Sequence, residues 1–227
     1  MPDSIDKKIT QSYLELRKAI GILGMALPFI LLIGGLIFGN KSLQYSISHY
    51  YHTNMRDFFI GLLFCISLFL VTYQGYKWYD NLITVIIGIT GFGTALFPSL
   101  IGKASKCIEP VSTDYIGMFH LHYEVSNIIH GISAISFFLL LAINSFVIFT
   151  KSNNVPMTEN KKKRNLIYRI CGIIIFISLI ALLIFYLTIG LEKMICYKIP
   201  FFVETIMLLA FGFSWLVKGE TFYKDTP

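Results

Sequence analysis

Charge is scarce in this chain: 14% of its 227 residues are Asp, Glu, Lys or Arg, while 55% are hydrophobic. A soluble globule of this size carries about a quarter of its residues as charges, so a water-exposed surface does not fit. The sequence also lacks HExxH, HxxxH and CxxC, and it has no nucleotide-binding loop, nucleophile elbow or soluble catalytic segment. It shows no transit-peptide composition, lipidation box or low-complexity tract. No ionisable residue falls in the middle of any apolar stretch, which argues against a proton relay or an ion-coupled carrier.

What the chain has in quantity is long apolar blocks. Six of them approach the roughly 20 residues that about 30 Å of hydrocarbon requires. They lie at about 19–39, 58–76, 82–102, 125–149, 170–190 and 201–217, the last being short. Strands of a membrane barrel would alternate polar and apolar residues, whereas Ile173 to Leu187 is almost continuously apolar. The expectation is therefore an all-α, polytopic transmembrane bundle of six helices forming a single domain, residues 1–227. The polar first 18 residues precede an apolar run too long for a cleaved signal, so the first block reads as a retained anchor.

Six crossings put both termini, the turn near 77–81 and the basic loop 150–169 on one side. That side holds 13 of the 19 Lys and Arg residues, while Asp and Glu divide seven to six. Cytoplasmic loops carry this bias, so both termini are expected in the cytoplasm. The net charge of +6 then needs no nucleic acid; Lys161, Lys162, Lys163 and Arg164 are expected to meet anionic lipid head groups. Two further partners stay open, a second copy of the chain and a cytoplasmic protein docked on the basic loop.

On the opposite side the topology gathers all five histidines, together with Cys107 and Cys196 in different loops. An oxidising compartment would permit a disulfide between these two, against the alternative of two free thiols. The segment SISHYYHTNMRD, Ser46 to Asp57, carries His49 and His52 three residues apart. His130 lies one to two turns inside the fourth helix and Glu204 about a turn inside the sixth, where ionisable groups need partners or a water-filled cavity. These observations predict an outward-facing polar cavity lined by Ser48, His49, His52, Asp57, His130 and Glu204. Metal ligands would be His49, His52 and His130, with zinc as the ion; Ser48, Asp57 and Glu204 are the catalytic candidates. A purely structural hydrogen-bond network at the helix mouths is the competing reading.

Three segments carry a resemblance: YYHTNMRDFFIGLL at Tyr50 to Leu63, HGISAISFFLLLA at His130 to Ala142, and ETIMLLAFGFSWLVKGE at Glu204 to Glu220. Together they resemble a group of uncharacterised bacterial six-helix membrane proteins, which implies the bacterial inner membrane but no activity. A weaker likeness, through Ser48-x-x-x-His52, Asp57 and His130, is to the membrane hydrolases that include alkaline ceramidases and adiponectin receptors. That resemblance implies zinc-dependent hydrolysis of lipid amides, although those proteins have seven helices and a later histidine pair where this chain has Glu204. Two function classes follow: a metal-dependent membrane hydrolase acting on lipid or amide bonds, and a non-enzymatic channel, pore-forming defence effector or accessory membrane subunit.

Overall fold

The structure is a computed structural model that describes residues 2–39, 43–75, 77–99, 107, 113–152 and 156–224. Tyr76 and Gly102, which end two of the expected apolar blocks, lie outside the described residues. The fold is all-α. Its helices are α1 (Pro2–Phe38), α2 (Arg56–Thr72), α3 (Trp78–Leu96), α4 (Tyr123–Ile143), α5 (Glu159–Cys196) and α6 (Ile199–Lys218). A 3-10 segment spans Ser48–His52, and α4 runs on through a wider turn at Asn144–Ile148. The only β-structure among the described residues is a two-residue antiparallel pair, Tyr115–Ile116 against Leu121–His122.

Five of these helices are long and apolar enough to cross a membrane. The other, α2, has 17 residues, a length of about 26 Å at 1.5 Å per residue. Each helix packs on its neighbours in the chain, and α6 packs on α1, so the six close into a ring. The α1–α6 seam is glycine-built: a side chain on Gly21 would stand 2.7 Å from the Gly212 carbonyl oxygen. Lipid offers helices little hydrophobic drive to associate, and close backbone approach of this kind replaces it. Gly88 performs the same service for α3, lying against Ser67 and Val71 of α2. The ring interior is filled by Leu27, Leu31, Ile66, Leu70, Ile87, Phe137 and Phe211.

Local chemistry explains where the helices start and stop. At α5 the Thr158 hydroxyl accepts from the Lys161 backbone N–H at 3.1 Å, an N-cap, so the helix begins inside the expected basic loop. That start turns Lys161 and Arg164 inward, where they donate to the backbone carbonyls of Phe149 and Tyr223. Lys162 and Lys163, on the other side of the same turn, stay exposed. The exposed part of the four-residue basic run is thus reduced to two side chains. The α5 backbone leaves helical geometry at Gly190 (φ 77°), the expected end of the fifth span. Trp215, which looks like an interfacial belt residue in sequence, is wholly buried and packs edge-on against Phe149 and Tyr73.

Candidate functional site

Pro98 organises the site. Helix α3 ends at Leu96, and a proline two residues later supplies no N–H to continue the ladder. The carbonyls of Phe97, Pro98 and Ser99 are therefore available to side chains from other elements. His130 Nδ1 donates to the Phe97 carbonyl at 2.7 Å, Ser126 Oγ to the Pro98 carbonyl at 2.7 Å, and His52 Nε2 to the Ser99 carbonyl at 2.9 Å. A carbonyl only accepts, so each of these ring nitrogens carries its proton and the tautomers are set. His130 Nε2 is left as an acceptor nitrogen.

From the other side, α6 brings in Glu204. Its Oε2 accepts the backbone N–H of Ile47 at 2.7 Å, and the Phe201 N–H donates to the Tyr45 carbonyl at 2.9 Å. These two bonds hold the Tyr45–His52 segment down on α6. The Ser48 hydroxyl lies 3.3 Å from that of Ser46 and 3.5 Å from that of Ser99. Ser48, His130 and Glu204 line both of two adjoining cavities, one deep between α1, α2 and α4, the other an open cleft with about 910 Å³ of empty space. The cleft has a polar floor of Tyr45, Ser46, Ser48, Ser99, His130 and Glu204, and apolar walls from α4 (Ile135, Phe138) and α5 (Leu179, Leu182).

The predicted residues separate into two groups. Ser48, His130 and Glu204 meet in the cleft. His49 and His52 sit just above it with ring centroids 5.1 Å apart, His49 also lying 4.3 Å from the Tyr45 ring. Burial, with His52 nearby, holds the His49 imidazole down at about 3, so it stays neutral. Burial also lowers His52, with Arg56 adding to the effect against the Ser99 bond. Burial and then the Glu204 carboxylate push the Tyr45 phenol up. Asp57 is exposed on the first turn of α2 and lines neither cavity, a correction to the expected site.

A zinc centre requires several donors converging on one point. Among the described residues no three His, Cys, Asp or Glu side chains are so grouped. His52 and His130 each bond one ring nitrogen to a carbonyl and keep the other as an acceptor, and His49 Nδ1 is buried without a hydrogen-bond partner among the described residues. His49, His52 and His130 do not form such a three-donor group as arranged. Cys107 and Cys196 are joined in a disulfide with Cα atoms 5.4 Å apart, which fastens the segment before α4 to the α5–α6 turn.

Ser99 and Tyr45 belong to the site although their types and spacing gave no sign of it. The usable signal was Phe97-Pro98-Ser99, a helix-terminating proline whose freed carbonyls need donors. Comparisons of the chain with protein-family models, with curated proteins and with solved structures find no match.

Proposed function

We propose that the protein is a membrane-embedded hydrolase that cleaves an ester or amide bond of a lipid at the cleft between α4, α5 and α6. The observation that carries this reading is the joining, in one cleft, of an acceptor imidazole, a carboxyl group and serine hydroxyls with an apolar wall. His130, its Nδ1–H held by the Phe97 carbonyl, takes a proton at Nε2 from a water as the water oxygen attacks the lipid carbonyl carbon. The Ser48 and Ser99 hydroxyls donate to the carbonyl oxygen as it gains charge. As the carbon–heteroatom bond breaks, Glu204 in its protonated form gives its proton to the departing oxygen or nitrogen. A fatty acid and an alcohol or amine leave, and the proton on His130 returns through solvent to Glu204. No step is routed through a metal.

The distribution of Lys and Arg supports placing both termini in the cytoplasm and the cleft toward the outer leaflet of a bacterial inner membrane. The Cys107–Cys196 bond agrees with an oxidising compartment on that side. A pore through one chain is less well supported, because large apolar side chains fill the ring interior.

The test is release of free fatty acid from a panel of ester and amide lipids by purified protein in nanodiscs. The wild-type chain is expected to turn over at least one lipid, and His130→Ala and Glu204→Gln each to lower the rate at least 100-fold. Absence of turnover across the panel, or full activity in both variants, overturns the assignment.

A further inference from the structure

The walls of the cleft say how a substrate reaches its floor, and the floor says what kind of head group it takes. Gly131 lines the cleft, and a side chain built there would meet nothing within 4 Å. One turn further along α4, Ile135 is 60% exposed while also lining the cleft. Helices α4 and α5 therefore part at this level, and the gap between them is bordered by Gly131, Ala134, Ile135, Leu179 and Leu182. All five are apolar residues inside helices that cross the membrane. Such a gap opens sideways, onto acyl chains.

The polar groups lining the cleft are hydroxyls, one imidazole acceptor, one carboxyl group and the Asn127 amide. None of the described residues lining the cleft is Lys or Arg. Phosphate recognition uses guanidinium, ammonium or clustered backbone N–H donors, whereas the floor presents Glu204 and neutral polar groups. A carboxylate there repels a phosphate, and a carboxylic acid offers it a single donor. Hydroxyl and amide head groups instead match a floor of mixed donors and acceptors.

Resting on the hydrolase reading above, we infer that the cleft admits its substrate laterally through the α4–α5 gap and selects acyl lipids whose head group is uncharged, bearing hydroxyl or amide, over phosphate-bearing lipids of the same chain length.

The experiment measures retention of two probes, a monoacylglycerol and the lysophosphatidic acid of the same acyl chain, by the full chain in detergent, using native mass spectrometry. The monoacylglycerol is expected to be retained at least 10-fold more tightly. Gly131→Phe, whose Cβ has open space around it and whose ring is directed at the gap, is expected to reduce that retention at least 10-fold at an unchanged melting temperature. Equal or preferential retention of the phosphate-bearing probe, or retention indifferent to Gly131→Phe, overturns the inference. If Gly131→Phe lowers the melting temperature, Ile135→Trp at the same mouth replaces it and is read by the same criterion. Gap-dependent retention without fatty-acid release from any lipid leaves the inference standing and removes the hydrolase assignment. Hydrolysis of both head-group classes at equal rates does the reverse.

Discussion

The Glu204 carboxylate accepts the backbone N–H of Ile47 at 2.7 Å, across 157 residues of chain. That single bond fastens the segment between α1 and α2 to the last helix and fixes the carboxyl group at the edge of the cleft. Glutamine keeps a carbonyl oxygen to accept from Ile47, whereas alanine leaves a buried N–H unsatisfied. Glu204→Ala is therefore expected to cost about 1–3 kcal/mol of stability, seen as a lower melting temperature in detergent. Glu204→Gln is expected to melt within about 0.5 kcal/mol of wild type while losing activity, a separation that a purely structural carboxylate would not give.

Breaking the Cys107–Cys196 bond releases a loop that spans 89 residues of sequence. Cys107→Ser with Cys196→Ser is expected to lower stability by about 2–4 kcal/mol. Mass spectrometry of the non-reduced wild-type protein is expected to give one bridged peptide pair, with Cys65 and Cys171 as free thiols. Four free thiols would remove the bridge.

The pH dependence follows from His49. Its folded-state value near 3 lies below the 6.5 of a free imidazole. Above pH 6.5 the ring is neutral in both states and the stability is fully present. Below that the unfolded chain takes up the proton first, and stability falls progressively toward pH 3. The slope is at most about 1.4 kcal/mol per pH unit, and His52, also lowered, adds in the same direction. Melting temperatures between pH 7.5 and 4.5 check this, and His49→Gln is expected to flatten the curve.

At the other end of the bundle, Asp80 is wholly buried and pairs with Lys151, which packs over the Tyr79 ring. Asp80 also accepts the Lys77 N–H at 3.2 Å, capping α3. Removing Lys151, whose side chain is partly exposed, leaves the buried Asp80 carboxylate without its cation, so Lys151→Ala is expected to cost about 1–3 kcal/mol. A double variant, Asp80→Asn with Lys151→Met, is expected to recover part of that loss in the same melting assay.

The bundle itself was legible because apolar length is a direct statement about hydrocarbon thickness: all six blocks correspond to helices. The helix ends were less legible. Polar residues carried α1 back to Pro2, where Arg17 stacks on Tyr13 and Tyr73, and a threonine cap started α5 within a stretch that reads as loop. The first outcome draws on Tyr73, far away in sequence, whereas the second is a local cap, Thr158 to Lys161, within a stretch whose polar composition reads as loop. In the site, Ser48, His130 and Glu204 were identifiable as polar residues in costly places, but Asp57 was not distinguishable from them. Its outward direction is decided by the rotation of α2, which the Phe59, Leu63 and Ile66 face fixes by turning toward the core. Ser99 and Tyr45 enter through backbone geometry around Pro98 and α6, which residue type does not encode.

Since α6 packs on α1 through Gly21 and Gly212, α1 finds a main neighbour in a helix made well after it. During synthesis the glycine face of α1 must wait, against lipid or an insertion factor, until the chain has been extended from Gly21 to Gly212, 191 residues later. Chains truncated before Ile199 would leave that face open, making them natural clients for membrane quality control.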